Sequence, residues 1–182
     1  LHIPFCQAKC FYCDFLSFVR TESSITPQRY LQGLKQELAL RGAELKSAGW
    51  EVATLYIGGG TPTTLEPAQS ERLIRMIRQY FDLSALQEFT VEAGRPDSID
   101  AEKLAVLKEC GVGRISVNPQ TMRDSTLKLI GRQHSAAQTE EAFRLAREAG
   151  FDNINMDIIL GLPGETRDDV QYTIDKIREL GP

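Results

Sequence analysis

The chain has 182 residues, of which 42% are hydrophobic and 25% are charged, and its formal net charge is -4. This composition is typical of a globular protein with one sizeable core, so a single domain is expected. The negative charge and the lack of a Lys/Arg block argue against a general nucleic-acid binder. No apolar run approaches the roughly 20 residues that cross a bilayer, so no transmembrane segment is predicted.

The first predicted strand, Leu1 to Phe5, leads directly into a loop that holds three of the four cysteines. Cys6, Cys10 and Cys13 follow Cys-x3-Cys-x2-Cys spacing. Three thiolates from one short loop can bind three irons of a cubane [4Fe–4S] cluster and leave the fourth iron open to a substrate or cofactor. The spacing therefore predicts a metal or cluster site with an open position.

A zinc site is the alternative, because thiolates and an imidazole also suit tetrahedral zinc and His2 precedes Cys6. Structural zinc ligands usually come in two separated pairs, whereas Cys110 lies far along the chain in a predicted helix, where a buried structural thiol is expected. Three clustered cysteines cannot all pair with one another, and nothing resembles a signal peptide. A reducing cytoplasm is the expected location.

Apolar strand-like runs alternate with amphipathic helices along the whole chain, which predicts an α/β fold with a parallel sheet of about five βα units. Helices are expected to begin at the capping residues Thr26, Asp100, Ser135 and Thr166. The predicted strands are Leu1–Phe5, Val52–Ile57, Glu88–Val91, Arg114–Val117 and Asn153–Leu160.

A polar or glycine-rich motif follows each predicted strand. In a parallel sheet these positions share the carboxyl-terminal edge, where ligands bind in α/β folds. The sequence therefore predicts one ligand site at this edge. After the cysteine loop, the motifs are Gly58-Gly59-Gly60-Thr61-Pro62, Glu92-Ala93-Gly94-Arg95-Pro96, Asn118-Pro119-Gln120-Thr121, and Asp157 followed by Gly161-Leu162-Pro163-Gly164-Glu165.

Each motif also has a purely structural interpretation. The three glycines either form a tight turn or let the backbone approach a ligand, and the absence of a following Lys-Ser/Thr excludes a phosphate loop. Glu92 needs a partner at its apolar strand end, which is either Arg95 or a ligand amine or ribose. Asp157 interrupts an apolar strand, and a ligand role is favoured there. Arg132 binds a ligand or lies in a solvated loop, and His134 is interpreted as structural or surface.

Together these residues resemble the radical S-adenosylmethionine superfamily and, within it, the oxygen-independent coproporphyrinogen III oxidase family. The resemblance covers essentially the whole chain. It is carried by the cysteine loop, Ile57-Gly58-Gly59-Gly60-Thr61-Pro62-Thr63, Val91-Glu92-Ala93-Gly94-Arg95-Pro96, Asn118-Pro119-Gln120, Gly131-Arg132, and Asp157 through Gly164.

The resemblance implies a partial (β/α)6 barrel with a [4Fe–4S] cluster bound by Cys6, Cys10 and Cys13, and S-adenosylmethionine chelating the open iron. Reduction of the cluster then cleaves the cofactor to methionine and a 5′-deoxyadenosyl radical. No catalytic side chain beyond the cluster is assigned. Tyr12 is expected to border the adenine, with Arg132 at the cofactor carboxylate. The full set of implied cofactor-binding residues is Tyr12, Gly59, Gly60, Thr61, Glu92, Gln120, Arg132 and Asp157.

The activity implied by the resemblance is that of an oxidoreductase of porphyrin and haem biosynthesis, which decarboxylates coproporphyrinogen III to protoporphyrinogen IX. Its implied partners are the porphyrinogen and a one-electron donor such as flavodoxin or ferredoxin, with no nucleic acid.

Phe15 stands where the best-characterised dehydrogenases of this family have a fourth cysteine. The Cys13-Asp14-Phe15 form also occurs in a related haem chaperone branch, which binds haem and lacks the dehydrogenase activity. The motif around Glu92 is instead most similar to a dehydrogenase branch from Gram-positive bacteria. The haem chaperone therefore remains the alternative function.

Residues 1–182 are expected to form a radical S-adenosylmethionine core domain that is shortened at both ends. Relative to the family, a tyrosine just before Leu1, a sixth strand and a carboxyl-terminal domain are missing from this sequence.

Overall fold

The computed structural model describes residues 1–182. The strands are β1 (His2–Ile3), β2 (Phe5–Cys6), β3 (Phe18–Val19), β4 (Thr54–Gly59), β5 (Glu88–Glu92), β6 (Arg114–Ser116) and β7 (Asn153–Asn155). The helices are α1 (Pro27–Ser47), α2 (Pro67–Tyr80), α3 (Ala101–Glu109), α4 (Asp124–Leu129), α5 (Ala136–Glu148) and α6 (Arg167–Leu180). No helix combines the length and the apolar character needed to span a membrane.

Five strands form one parallel sheet in the order β1-β4-β5-β6-β7. The predicted α/β fold with a parallel sheet is confirmed. Three of the predicted strands shift by at most two residues at either end, whereas the first and the last differ clearly from the prediction. The first is divided at Pro4, which has no N–H to donate, and β2 pairs instead with β3 in a separate two-stranded parallel sheet. The last ends at Asn155, beyond which only an isolated bridge between Gln120 and Ile158 continues the pairing.

The two faces of the main sheet differ sharply in polarity. On one face Ile57, Val91, Ile115 and Ile154 lie in register and are at most 4% exposed. These residues join the apolar faces of the helices in a single hydrophobic core. Because successive side chains of a strand alternate between faces, the other face carries the polar residues of the same strands. These are Thr54, Tyr56, Glu88, Thr90, Glu92, Arg114, Ser116, Asn153 and Asn155.

The predicted helix starts are confirmed by hydrogen bonds from the helix backbone to the capping side chains. Thr26 Oγ1 accepts from the Arg29 N–H at 3.2 Å, and Asp100 Oδ1 accepts from the Lys103 N–H at 2.8 Å. Ser135 and Thr166 each complete a capping box at the start of α5 and α6. These caps accept hydrogen bonds from backbone N–H groups that have no partner within the helix, and so fix the residue at which each helix begins.

Candidate cofactor site

A cavity of about 380 Å³ lies at the carboxyl-terminal edge of the main sheet. Its wall comes from the cysteine loop and from the segments that follow β4, β5 and β6. Nine of the eleven site residues predicted from the sequence line it, namely Cys6, Cys10, Tyr12, Cys13, Gly59, Gly60, Glu92, Gln120 and Arg132. Thr61 and Asp157 lie just outside the wall.

The cysteine loop is closed at its base by the small sheet of β2 and β3. The Phe18 N–H donates to the Pro4 carbonyl at 2.7 Å, and the Arg20 N–H donates to the Cys6 carbonyl at 2.9 Å. The side chains of Cys6 and Cys10 are buried, that of Cys13 is half-buried, and all three thiols are free. Thr61, which is also buried, donates its hydroxyl to Cys6 Sγ at 3.5 Å. The loop therefore presents three thiols to one cavity from a fixed base.

The glycines after β4 allow this strand to approach the cysteine loop closely. A Cβ on Gly59 would lie 2.7 Å from His2 Nδ1 and 2.8 Å from the Ile3 nitrogen, and its φ of +115° disfavours other residues. A Cβ on Gly60 would lie 3.0 Å from Cys6 Sγ. The glycine backbone after β4 therefore packs closely against the protein's own cysteine loop, next to the cavity in which a ligand would lie.

Arg132 ties the cysteine loop to the opposite wall of the cavity. Its Nε donates to the Tyr12 hydroxyl at 3.0 Å and its Nη1 donates to the Gly94 carbonyl at 3.0 Å. Arg132 is only 7% exposed, so a solvated-loop interpretation does not fit it. Tyr12 keeps part of its ring exposed, but burial raises the pKa of its hydroxyl to about 12, against the opposing effect of Arg132. Tyr12 is therefore a neutral phenol that borders the cavity.

Glu92 is half-buried at the end of β5, and burial raises the pKa of its carboxyl, with Asp157 raising it further. The backbone N–H of Gly59 and the hydroxyl of Tyr56 act in the opposite direction by hydrogen bonding. Arg95, one of the two partners considered for Glu92, instead donates its Nη2 to the Ala8 carbonyl. No cationic side chain pairs with Glu92, so its carboxylate is available to a cationic or hydroxyl-bearing ligand.

Gln120 and Asp157 meet through their backbones. The Gln120 N–H donates to the Asp157 carbonyl at 3.1 Å, and the Ile159 N–H donates to the Gln120 carbonyl at 2.9 Å. Gln120 has a φ of 67°, a region that residues other than glycine rarely occupy, and its side chain lines the cavity. The exposed Asp157 accepts from Asn155 Nδ2 at 2.8 Å. Asp157 therefore lies beside the cavity wall and acts on Glu92 through its charge.

His134 and Cys110, which were not predicted as ligands, both lie outside the cavity wall. His134 is buried, with 4% of its surface exposed, and burial together with Arg132 lowers its pKa to about 4. Cys110 is half-buried at the end of α3 and packs against the core. Burial raises the pKa of its thiol. Both positions are those expected of structural residues.

Sequence reasoning missed several residues of the wall. Asn118 Oδ1 accepts from the Asp157 N–H at 3.1 Å. Asn118 directly follows the predicted strand Arg114–Val117 and opens the motif named there, but it was not chosen as a site residue. Arg95 was named within the motif after the third predicted strand and as a possible partner of Glu92, but not as a site residue. The wall is completed by Asp14, Phe15, Gly94, Arg95 and Asn118.

The profile of the radical SAM superfamily matches residues 1–177. The chain belongs to this superfamily. Members of the radical SAM superfamily use a [4Fe–4S] cluster and S-adenosylmethionine, so the predicted recognition and the predicted cofactors are confirmed at the level of the family. The site of this chain fits them, because three free thiols and a glycine-lined strand end share one cavity with polar side chains.

Two Bacillus subtilis proteins are 42% identical to this chain over 181 residues. One is the oxygen-independent coproporphyrinogen-III oxidase-like protein HemZ, with 99% of this chain and 36% of HemZ aligned. The other is the heme chaperone HemW, with 99% and 46% aligned. The structure is also similar to that of coproporphyrinogen III oxidase (HemN) from Escherichia coli, a radical SAM enzyme, with a TM-score of 0.87, 33% identity and coverage of 100% of this chain and 41% of HemN.

This chain therefore spans less than half the length of these relatives. Their names divide between an oxidase and a haem chaperone.

Proposed function

We propose that Cys6, Cys10 and Cys13 bind the [4Fe–4S] cluster and that the cavity beside them binds S-adenosylmethionine. The observation that carries this proposal is the shared cavity, whose wall contains all three thiols and side chains from three successive strand ends. When bound, the cluster supplies one electron for reductive cleavage of the cofactor. Cluster binding requires reduced cysteines, and thiols stay reduced in the cytoplasm. A cytoplasmic location is therefore part of the proposal.

Three side chains of the wall have chemistry that matches this cofactor. Arg132 offers a guanidinium to a carboxylate, since its Nη2 makes no hydrogen bond within the protein. Glu92 offers a carboxylate without a cationic partner to an amine or a ribose. Gln120 adds an amide that can donate and accept, with Asp157 supporting it through the backbone.

The activity that we propose for the whole protein is oxygen-independent decarboxylation of coproporphyrinogen III. Each of two propionates loses one hydrogen atom, one electron and CO2, and becomes a vinyl group, which gives protoporphyrinogen IX. The similarity to HemZ and HemN supports this substrate. The protein's task in such chemistry is to position the cofactor and exclude competing reactions.

The second candidate is a haem chaperone, and two observations favour it. HemW and HemZ are both 42% identical to this chain, and Phe15 rather than a cysteine stands two residues after Cys13 at the cavity wall. The partner in that case is haem, held without turnover.

One experiment separates the two functions. Full-length protein is reconstituted anaerobically and incubated with a one-electron reductant, S-adenosylmethionine and coproporphyrinogen III. We expect 5′-deoxyadenosine together with protoporphyrinogen IX. Cofactor cleavage with no decarboxylated product rules out the substrate, and stoichiometric haem retention without turnover establishes the chaperone.

The cysteine ligands have their own test with a matched control. We expect Cys10→Ala to abolish the brown chromophore of the reconstituted protein, because one of three cluster ligands is lost. Cys110→Ala removes a thiol that lies outside the cavity, and should leave the chromophore and the iron content unchanged. Equal loss of iron in both variants, or zinc in place of iron in the wild type, contradicts the assignment.

A further inference from the structure

Arg95 is a buried cation without a counter-charge. It is 5% exposed, yet no carboxylate lies within ion-pair distance of its guanidinium. A buried charge is costly unless it is paired or fully hydrogen-bonded. Its Nη1 is buried and has no hydrogen-bond partner in the protein. No group of the protein therefore balances the charge of this guanidinium, which leaves it available to a bound anion.

The position of Arg95 indicates what that group is. Its side chain lines the same cavity as the three cysteines, and its Nη2 donates to the carbonyl of Ala8, which lies between Cys6 and Cys10. The anion that this loop would hold is a cluster with its thiolate ligands. Charge complementarity therefore points from Arg95 to the cluster.

The backbone of Arg95 is itself fixed. Its carbonyl accepts from the Ser98 N–H at 2.9 Å and from the Ser98 hydroxyl at 2.7 Å. The same hydroxyl contacts Thr63 Oγ1 at 2.6 Å, which connects this turn to the segment after β4. The guanidinium is thus presented from a rigid support formed by two strand ends.

We propose that Arg95 is a positioning residue for the cluster: one nitrogen fixes the cysteine loop through Ala8, and the other donates to a cluster sulfur. Reduction adds negative charge to a cluster, and hydrogen bonds to its sulfurs and nearby charge set its potential. Arg95 should therefore raise the reduction potential and slow the loss of iron. The inference rests on the cysteine ligands proposed above, but not on the porphyrin substrate.

The test uses reconstituted full-length protein without S-adenosylmethionine. The midpoint potential is measured by a redox titration followed by electron paramagnetic resonance, and iron release is followed with a chelator. We expect Arg95→Gln to shift the equilibrium about tenfold towards the oxidised cluster, which is about 59 mV more negative for a one-electron couple. Arg95→Lys keeps the charge and should keep the potential, but it loses the planar fork and should release iron faster.

Arg78→Gln is the matched control, because Arg78 also donates to a backbone carbonyl, that of Cys110 at 2.6 Å, but is exposed and is not part of the cavity wall. It should change neither readout. A wild-type potential in Arg95→Gln overturns the proposal, as does an equal shift in Arg95→Lys. If Arg95→Gln binds no cluster, unchanged iron release in Arg95→Lys overturns it. A wild type that binds no iron refutes the cysteine ligands instead.

Discussion

Tyr12 and Arg132 are 120 positions apart in the chain, yet their side chains form a hydrogen bond at the cavity wall. The guanidinium satisfies the Tyr12 hydroxyl and the Gly94 carbonyl at the same time. Two N–H groups in a fixed fork can do this, whereas a lysine ammonium has no such geometry. Arg132 therefore both shapes the wall and offers charge to a ligand.

We expect Arg132→Lys to weaken binding of S-adenosylmethionine by about 10- to 100-fold, since a hydrogen bond to a charged group contributes about 1.5–3 kcal/mol. Equilibrium dialysis with cluster-loaded protein measures the effect. Arg123→Lys is the matched control, because the Arg123 guanidinium likewise contacts a tyrosine, lying 4.4 Å from the centre of the Tyr172 ring, but outside the cavity. Equal weakening in both variants would contradict the role of Arg132.

We expect His134 to make the stability of the cluster-free protein sensitive to acid. Burial and Arg132 lower the pKa of the folded imidazole to about 4 from an ordinary value of 6.5, with Arg95 acting in the same direction. Asp97, with Oδ1 4.0 Å from His134 Nδ1, makes no hydrogen bond to it. As the pH falls below 6.5, the unfolded chain takes up this proton first. The contribution of the neutral His134 to the free energy of unfolding is therefore complete above pH 6.5 and is lost as the pH falls towards 4.

We therefore expect His134→Gln to reduce the pH dependence of unfolding. Between pH 6.5 and pH 5 the wild type should lose up to about 1.4 kcal/mol per pH unit more than the variant. Urea unfolding at pH 7 and pH 5 measures the difference for each protein. Parallel losses in the two proteins would show that His134 does not carry the acid sensitivity.

At the residue scale, the contacts that could be predicted are those between residues close together in the sequence. The spacing of Cys6, Cys10 and Cys13 and the helix-capping residues each lie within a few positions of their partners. The bond from Arg95 to Ala8 spans 87 positions and has no such pattern. Arg95 was therefore predicted at the correct strand end, but its hydrogen bond to Ala8 was not predicted.

At the scale of elements, helix α1 shows how one residue type has opposite effects at two positions. Gly33 has open space around the position of a Cβ, whereas a Cβ on Gly42 would overlap the Tyr80 carbonyl oxygen. Glycine in a helix interior costs about 0.5–1 kcal/mol relative to alanine, unless close packing requires it. The contact between α1 and α2 therefore depends on Gly42.

We expect Gly33→Ala to raise the free energy of unfolding by about 0.5–1 kcal/mol. Gly42→Ala should lower it by about 1–3 kcal/mol, because an added methyl must displace backbone of the neighbouring helix end. Chemical denaturation of the two variants beside the wild type provides the comparison. A stabilising Gly42→Ala would mean that α1 and α2 do not pack as described.

Element types were predictable because apolar periodicity and caps act locally, whereas some element ends were not. The strands Phe5–Cys6 and Phe18–Val19 are too short to show a period of two, and their pairing depends on the course of the cysteine loop. The last strand was predicted to reach Leu160 because its residues remain apolar. Its regular pairing ends at Asn155, where the neighbouring β6 ends.

At the scale of the whole molecule, the two faces of the sheet separate stability from chemistry. The apolar face packs against the helices, while the polar face continues into the cavity wall at Glu92. A substitution on the apolar face should therefore change stability without changing the ligands. The register of β4, β5, β6 and β7 sets this division.

We expect Ile115→Ala to lower the free energy of unfolding by about 2–5 kcal/mol, because Ile115 is fully buried on β6, an interior strand of the sheet. The iron content after reconstitution should remain that of the wild type in the folded fraction. Leu40→Ala, at a position 67% exposed on α1, should change stability by no more than about 0.5 kcal/mol. Similar losses in both variants would contradict the assigned core.

At Gln120 the backbone conformation lowers stability, while the side chain supplies a polar group to the proposed ligand site. Its left-handed backbone, with a φ of 67°, is unfavourable by about 1–2 kcal/mol for a residue with a Cβ, and glycine would relieve this. Glycine would also remove the amide from the cavity wall. On stability alone glycine would therefore be the better residue at position 120, and in the proposed cofactor pocket the glutamine exchanges part of the free energy of folding for a polar group on the wall.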